Sequence, residues 1–449
     1  MDGRETTKAN LELLQERLNS GRMRSARIMV NSLYPSEVAL LLESLPLKER
    51  AMLWEIVDSE IGGDVLVELA EDVRDGLIEG MATEEVVAAA DGMEVDDLAD
   101  LLADLPETVT QEVLQSLDKQ DHERLKQVLA YDEESAGGLM NVDIVTVRPD
   151  VTLEVVARYL RAVGAMPDGT DSIFVVSRDN GYIGSLYLSR LLTQDPDEMV
   201  ANVMSTDIMP IPAHTPSAQV VWEFENRDLL SAPVVDDDFR VLGRITVDDV
   251  VDVIRDEAEH SLMSAAGLDE EDDMFAPVVQ SATRRALWLG VNLATAFLAA
   301  AVVDLFQTTI DKIVLLAVLM PVVPSMGGVA GSQSLTIITR AIALGQINRA
   351  NARGILRKEV LVGVLNGCGW AAIVALITFS WFGDWRIGAI IGAAMIINLV
   401  IAAVAGYSIP LILKRLGVDP ALAGGVVLTT VTDVVGYMAF LGLGAIFLL

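Results

Sequence analysis

Long apolar stretches dominate the last third of the chain, whereas apolar and polar positions alternate at short intervals before it. A helix that crosses a bilayer needs about 20 consecutive, mostly apolar residues. Five such stretches follow one another with charged segments between them, and we place the predicted spans at residues 286–307, 313–339, 360–382, 387–413 and 421–449. The pattern therefore predicts a five-helix transmembrane domain over residues 284–449.

The first part of the chain shows helical spacing and an internal repeat. Residues 36–58, SEVALLLESLPLKERAMLWEIVD, align without gaps with residues 96–118, DDLADLLADLPETVTQEVLQSLD. Apolar residues recur at helical intervals, and Pro46 and Pro106 each begin a new helix after a break. Stacked helix pairs follow from such a repeat, so we predict an all-α superhelical N-domain over residues 1–132.

A second repeat of a different kind occupies residues 133–258. MNVDIVT from Met140 is echoed by MSTDIMP from Met204, and each copy continues through a helical run into the β-rich runs IFVVSRDNGYIGSLYL and APVVDDDFRVLGRITV. Two β-α-β-β-α copies of about 60 residues predict an α+β domain, and they resemble a tandem pair of CBS domains. Such pairs often bind adenine nucleotides; no phosphate-cradling glycine loop occurs here, which leaves ATP binding open.

Charge divides the chain at the same place as hydropathy. Residues 1–283 hold 21 Lys and Arg against 59 Asp and Glu, whereas residues 284–449 hold 11 against 6. So acidic a surface repels nucleic acid and concentrates cations around itself, and nucleic acid is therefore not expected as a partner. The single cysteine, Cys368, and three scattered histidines give no zinc-ligand spacing. The sequence also lacks a nucleophile-base motif, a Walker A motif and a cofactor fingerprint, so no enzymatic activity is predicted.

Basic residues set the expected orientation of the spans. In a five-span arrangement, only Lys312 and Arg386 fall on one side. The other side receives nine: Arg284, Arg285, Arg340, Arg349, Arg353, Arg357, Lys358, Lys414 and Arg415. By the positive-inside rule these nine face the cytoplasm. The N-terminus carries charges where a signal peptide would be apolar. We therefore expect a multi-pass protein of the cell (inner) membrane, embedded in the lipid bilayer with the acidic part cytoplasmic and Leu449 outside.

Within the apolar third, Asp433 is the most informative residue. It lies about midway along the fifth predicted span, in TTVTDVVGYMAF. A carboxylate there costs at least about 2.5 kcal/mol unless it faces water or a cation, which makes it a functional residue by default. The alternative is a protonated Asp hydrogen-bonded between helices. Thr429 and Thr430 are expected to line the same polar path, although helix-helix hydrogen bonds explain them equally well.

Two other polar features of the spans have structural alternatives. Prolines and glycines crowd into LMPVVPSMGGVAGSQSLTIITRA of the second span, which indicates either a broken helix beside a pore or close packing by small residues. Asn292, Asn366 and Asn398 are interpreted as ties between helices rather than ligands.

Acidic residues collect on two segments that are expected to meet. One is DGMEVDD from Asp91, at a helix start in the first domain, and the other is a connecting acidic helix and linker over residues 247–283. Charge runs are often only solvated helix faces. Carboxylates are nevertheless the ligands that Mg2+ and Ca2+ prefer, and facing acidic surfaces would repel when empty and associate when cations bridge them.

The order of these segments resembles the MgtE family of magnesium channels over essentially the whole chain. The motifs that carry the resemblance are DGMEVDD, PVVDDDFRVLGRITVDDVVDV, PVVPSMGGVAGSQS, DPALAGG and TTVTDVVG. Val329, Ser332 and Ala218 depart from the family pattern. The resemblance implies a multidomain membrane protein that forms a homodimer with its pore on the two-fold axis, where Asp433 of each subunit meets a hydrated Mg2+.

The resemblance also implies regulation by the transported ion. Cytoplasmic Mg2+ would bind acidic residues and favour a closed state, giving negative feedback on Mg2+ uptake. The residues implied are Asp91, Asp228, Asp248, Asp249, Asp252, Glu257, Glu259 and Asp419. The connecting helix would carry the signal, with a hinge near Gly267. Two alternatives stay open: a H+-coupled divalent-cation transporter, and a membrane-anchored CBS nucleotide sensor.

Overall fold

The N-terminal part of the molecule consists of short helices. The computed structural model describes residues 11–449 except 15, 18, 19, 91, 92, 104, 106, 118, 165, 168, 265–267, 269–272, 344 and 349. The helices are α1 (Met23–Val30), α2 (Pro35–Glu43), α3 (Leu47–Trp54), α4 (Ser59–Val67), α5 (Glu71–Ile78), α6 (Thr83–Ala90), α7 (Val95–Ala103), α8 (Glu107–Ser116) and α9 (Lys119–Val128). Buried leucines such as Leu98, Leu101 and Leu102 recur at helical spacing and form the core, which is why this sequence stacks its helices.

Two similar α/β units follow. The first contains β1 (Thr146–Val147), α10 (Leu153–Val163), β2 (Ser172–Val176), β3 (Tyr182–Tyr187), α11 (Leu188–Thr193) and α12 (Val200–Val203). The second contains β4 (Ile211–Pro212), α13 (Ser217–Arg227), β5 (Ser231–Val235) and β6 (Val241–Thr246). Each unit forms a three-stranded sheet with one parallel and one antiparallel pair, in the orders β1-β2-β3 and β4-β5-β6. The two sheets correspond to the internal repeat of the sequence. Each has a register shift between its second and third strands at the same position, Val175/Val176 in the first sheet and Val234/Val235 in the second.

A long helix and five apolar segments complete the chain. The helices are α14 (Val247–Ser264), α15 (Val278–Asp304), α16 (Gln307–Lys312), α17 (Val314–Leu319), α18 (Val322–Ala343), α19 (Ala352–Phe382), α20 (Trp385–Arg415) and α21 (Pro420–Leu448). Five helical segments of the described chain, α15, α17 with α18, α19, α20 and α21, are long and apolar enough to cross a membrane. The predicted fold class, an α-helical N-domain, a tandem CBS-like domain and a five-helix membrane domain, is confirmed.

Two helix starts differ from the predicted spans. The first spanning helix begins at Val278 and the third at Ala352, each eight residues before the start that hydropathy indicates. The added turns contain Arg284, Arg285 and Arg357. Hydropathy marks only the part of a helix that suits lipid, whereas backbone hydrogen bonding continues through the flanking charged turns.

The second span is broken at its prolines. The chain turns at Met320 and Pro321 between α17 and α18. Beyond the break, close packing by small residues takes over: a Cβ on Gly331 would lie 2.9 Å from Leu428 of α21, and a Cβ on Gly406 of α20 would lie 2.7 Å from the Gly331 carbonyl oxygen. The break and the small-residue packing, which the sequence left as alternatives, occur together.

The chain divides into two compact units. One comprises residues 1–258 together with 271–276, and the other comprises residues 259–270 together with 277–449. The first contains the helical domain and both α/β units, and the second contains the spans. Each has its own buried core.

Candidate functional sites in the membrane domain and the acidic face

Asp433 lies near the middle of the 29-residue helix α21 and is partly buried. Thr429 lies four residues earlier, on the same face of the helix. The glycine-rich part of α18 borders this face, since a Cβ on Gly328 would lie 4.0 Å from Thr429 Cγ2 and 3.9 Å from Thr432 Oγ1. The break-containing span and the acidic span are therefore neighbours at this level, and a methyl group on Gly328 would make ordinary van der Waals contact with α21.

The threonine hydroxyls beside Asp433 donate to their own helix. Thr429 is exposed and its hydroxyl lies 2.8 Å from the Gly425 carbonyl oxygen, while the partly buried Thr430 donates to Val426 at 2.7 Å. Each hydroxyl oxygen keeps lone pairs that can face a cation or its water. The structure thus places Thr429 and Thr430 within about one turn of Asp433 on α21.

Asn398 ties three membrane helices together. Its side chain is fully buried on α20, and its Nδ2 donates to the carbonyl oxygen of Val323 at 2.8 Å, in the first turn of α18. A Cβ on Gly327 would lie 2.8 Å from Asn398 Cγ, and a Cβ on Gly436 of α21 would lie 3.0 Å from Asn398 Nδ2. The interpretation of Asn398 as a tie between helices agrees with these contacts. Asn292 and Asn366 are exposed.

Glu359 is a buried acid that the sequence interpretation missed. It is 4% exposed near the start of α19, and Ser334 Oγ of α18 donates to its carboxylate at 2.7 Å. Hydropathy assigned Glu359 to the charged flank just before residue 360. A local signal was present: Glu359 lies four residues before Gly363, a glycine that packs against Ala403 of α20, so both occupy the inward face of α19.

A second group of carboxylates lies in the first compact unit, where the start of α7 faces the start of α14. We call Glu94, Asp96, Asp97, Asp249 and Asp252 the acidic face. Asp96 is 8% exposed, and its strongest charged neighbours are Asp249, Asp97 and Glu94. Asp97 also feels Asp249 and Asp252. Two acidic runs that are far apart in the sequence are thus brought together.

Asn141 donates hydrogen bonds to two of these carboxylates. Its Nδ2 donates to Glu94 and, at 3.4 Å, to Asp96, while its Oδ1 accepts the Asp143 backbone N–H at 2.8 Å. On the opposite run, Asp249 accepts the backbone N–H of Thr246 at 2.7 Å. Amide and backbone donors therefore stabilise part of the negative charge of these carboxylates.

Burial and mutual repulsion raise the pKa values on the acidic face. Burial first, and then the carboxylates of Asp249, Asp97 and Glu94, raise the pKa of Asp96 from 3.8 to about 8. Burial, followed by the carboxylates of Glu94, Asp249 and Asp252, raises the pKa of Asp97 to about 7. Burial raises the pKa of Asp249 to about 6, although the hydrogen bonds from Thr246 oppose it. Each raised pKa means that the charged carboxylate is disfavoured in these surroundings. The group is stabilised when it takes up a proton or when a cation lies beside it.

Other residues that the sequence singled out are exposed or lie outside the described residues, and of these Asp248 borders the acidic face. Asp228 is exposed at the end of α13 in a left-handed conformation, and Asp248 is exposed beside Asp249. Glu257 and Glu259 are exposed on α14. Asp91 and the proposed hinge at Gly267 lie outside the described residues. Among the described residues, no three His, Cys, Asp or Glu side chains are arranged to hold one metal ion.

Asp419 caps the last spanning helix. Its two carboxylate oxygens accept the backbone N–H groups of Ala421 at 2.9 Å and Leu422 at 3.1 Å. His260, on α14, lies 3.5 Å from Asp419 Oδ2. A carboxylate at a helix N-terminus offsets the helix dipole, so helix capping alone accounts for its position.

Family models match the chain in three consecutive parts. A model described as an MgtE intracellular N domain matches residues 33–134, CBS domain models match residues 136–196 and 200–256, and a model described as a divalent cation transporter, MgtE, matches residues 320–443. The matches follow the order of the helical, α/β and membrane parts described above.

Curated relatives match over nearly the whole chain. A protein named magnesium transporter MgtE from Bacillus subtilis is 26% identical over 433 residues, which is 96% of each chain. Its namesake from Thermus thermophilus is 27% identical over 440 residues, 97% of this chain and 98% of the relative. Among solved structures, the cytosolic domain of the Mg2+ channel MgtE in complex with ATP is similar to 54% of this chain and 98% of its own, with 28% identity and a TM-score of 0.50.

Proposed function

Because the chain belongs to the MgtE family of divalent cation transporters, we propose that it carries Mg2+ across the cell membrane along a path at Asp433, and that Mg2+ bound at the acidic face closes this path. The relatives are named magnesium transporters, and the chain has five helices suited to crossing a membrane. Membrane localisation follows from both observations. The ion path, its gating and the cytoplasmic placement of the soluble part are proposals.

The observation that carries the ion path is the position of Asp433. A carboxylate near the middle of a spanning helix is costly unless water or a cation reaches it. The glycine-lined contact with the broken second span leaves room at this level, because Gly328 presents no side chain toward Thr429. Irregular backbone at membrane depth is tolerated where it packs in protein or lines a cavity. Both features support a polar route beside Asp433.

Mg2+ suits such a site when it keeps its water. The ion gives up its hydration shell reluctantly and is bound through one or two carboxylates with several waters retained. We propose that two copies of the chain form a homodimer in which the two Asp433 side chains face a hydrated ion on the symmetry axis. Two carboxylates acting through water would attract the cation without stripping it.

The acidic face supports the gating part of the proposal. The carboxylates of Asp96, Asp97 and Asp249 have raised pKa values because each is largely buried among others. A divalent cation placed among them would remove this repulsion and favour the contact between α7 and α14. Since no described group of three ligands forms a single cage, several weak sites would act together. Moving an equilibrium from 1:99 to 99:1 needs about 5.5 kcal/mol of differential binding, which several sites can share.

The test is Mg2+ flux in proteoliposomes for the wild type and Asp433→Ala, with Mg2+ titrated on the side of the soluble part. We expect the wild type to conduct, and to conduct less as Mg2+ rises on that side, while Asp433→Ala forms the same oligomer without flux. Wild-type flux in Asp433→Ala would reject the proposed path. Flux that stops when a pH gradient is collapsed, with the Mg2+ gradient held, would favour H+-coupled transport instead.

Nucleotide binding by the CBS pair is a second candidate, favoured by the likeness to an ATP-bound cytosolic domain. We propose that the two α/β units bind an adenine nucleotide, which would modulate the response to Mg2+. Calorimetric titration of the purified protein with ATP tests this directly. Binding by a protein that moves no divalent ion would point to a membrane-anchored nucleotide sensor.

A further inference from the structure

A buried ion pair joins the N-terminal helices to the segment that precedes the first span. Arg50, on α3, donates to both carboxylate oxygens of Asp273, at 2.8 and 3.1 Å. The two side chains are only 2% and 6% exposed, although they are 223 residues apart in the chain. Two parallel N–H···O bonds of this kind fix the orientation as well as the distance of the partners.

Each partner of this pair is also held by its surroundings. Arg50 Nε donates to the carbonyl oxygen of Leu42 at 3.0 Å, which anchors the guanidinium to the preceding helix. The Asp273 backbone N–H donates to Asp72 at 3.3 Å, and Asp273 Oδ1 accepts the N–H of Phe275 at 2.9 Å. Contacts from α3 and α5 therefore hold Asp273, the first residue of a short stretch, residues 273–276, which we call the linker anchor.

The contact between Arg50 and Asp273 depends on both charges being present. When both charges are present and bidentate, each offsets the desolvation of the other. When one is removed, the remaining buried charge loses its bidentate partner, and the contact is strongly disfavoured. Arg27 and Asp58 of the same domain form an ion pair that is 59% and 43% exposed, and such surface pairs contribute little. The buried pair of Arg50 and Asp273 can therefore hold the linker, and the exposed pair of Arg27 and Asp58 provides a control for the loss of an ion pair.

The linker anchor lies directly before the membrane domain in the chain. Only Pro277 separates Ala276 from α15, the first spanning helix, which begins at Val278. We propose that Arg50 and Asp273 form a clamp through which the N-terminal helical domain positions the start of the first span, so that its state reaches the ion path by a route separate from α14. This rests on the proposed gating by Mg2+. The clamp residues are positioning residues and contact no ion.

The experiment compares Asp273→Asn and Arg50→Lys with the matched surface variant Arg27→Met, all in the full-length protein. Asp273→Asn keeps the shape of the side chain, and Arg50→Lys keeps the charge but loses the paired donors. The first readout is chymotrypsin cleavage after Phe275, mapped by mass spectrometry. We expect cleavage to speed up about tenfold or more in Asp273→Asn, less in Arg50→Lys, and not in Arg27→Met, because local opening controls proteolysis.

The second readout is Mg2+ flux in proteoliposomes with Mg2+ titrated on the side of the soluble part. Clamp variants should keep the maximal flux but need about threefold or more Mg2+ for half-inhibition. A cleavage rate in Asp273→Asn equal to that of the wild type would overturn the clamp. Faster cleavage in a variant that Mg2+ inhibits at the wild-type concentration would overturn the coupling role of the clamp. If wild-type flux does not change with Mg2+ on that side, the gating proposal is overturned, and the coupling role with it. The cleavage rates still decide whether the clamp exists.

Discussion

Acidification should stabilise the first compact unit of this protein when Mg2+ is absent. The pKa of Asp96 is raised in the folded state to about 8 from 3.8, so the folded form binds a proton that the unfolded form does not. A group of this kind contributes stability that is fully present below its ordinary pKa and is lost as pH rises through the folded value. The affected window therefore runs from about pH 4 to pH 8, and stability falls as pH increases across it.

The expected magnitude follows from the same two pKa values. Between pH 8.5 and pH 5.5, Asp96 alone should add about 3 kcal/mol to the free energy of unfolding. Asp97, with a pKa of about 7, adds in the same direction but shares the proton-binding energy because the two carboxylates interact. A gain of about 3 kcal/mol is large compared with the stability of a typical domain, so the effect is easy to measure.

The measurement uses a fragment of residues 1–276, which covers the first compact unit, including the linker anchor. Trp54 and Trp222 are the only tryptophans in this fragment, and they report urea unfolding by fluorescence in buffer with a chelator. Asp96→Asn should lose about 3 kcal/mol of the pH-dependent gain, since residue 96 then stays uncharged at every pH, and should keep the part that Asp97 and Asp249 contribute. Asp179→Asn, an exposed change in the turn between β2 and β3, should keep it.

Two results would refute this reasoning. One is a free energy of unfolding that stays flat or decreases between pH 8.5 and pH 5.5 in the wild type. The other is a wild-type pH slope in Asp96→Asn, which would place the titrating group elsewhere.

Two further predictions concern the membrane helices. Gly327→Ala should lower the melting temperature of the detergent-purified protein by the equivalent of about 1–3 kcal/mol, because the added methyl group would meet Asn398; Gly369→Ala, where a Cβ meets nothing within 4 Å, should not. Equal melting temperatures would contradict that packing. Glu359→Ala should destabilise by a similar 1–3 kcal/mol or so, because it removes the buried acceptor of Ser334, and Glu359→Gln should lose less because it keeps an acceptor oxygen. An alanine variant as stable as the glutamine variant would rule out that role.

Much of the architecture could be predicted because it depends on local patterns. The apolar stretches predicted five spans, and the described structure has five helices of matching character. The β-rich runs of the two repeats correspond to β2 with β3 and to β5 with β6, since alternation and turn residues act over a few positions. Two of the five helix starts were predicted less well, because the added turns contain charged residues such as Arg285 and Arg357 and do not belong to an apolar run.

The candidate sites were predictable only in part. Asp433 could be picked out from the sequence because any charge within an apolar run is unusual. The two acidic runs were also visible, but no pattern showed that Asp249 lies beside Asp96 while Asp228 and Asp248 are exposed. The roles of Asp433 and of the acidic face stay predictions until flux and stability are measured.

Folding alone establishes the contacts between distant segments. Residue spacing carries periodicity over a few turns, so it can specify a helix, a strand or a span. It cannot specify that Arg50 meets Asp273 or that Ser334 meets Glu359, because those contacts depend on how whole elements pack. The proton affinity of Asp96 arises in the same way, since only the packed structure removes its water and surrounds it with other carboxylates.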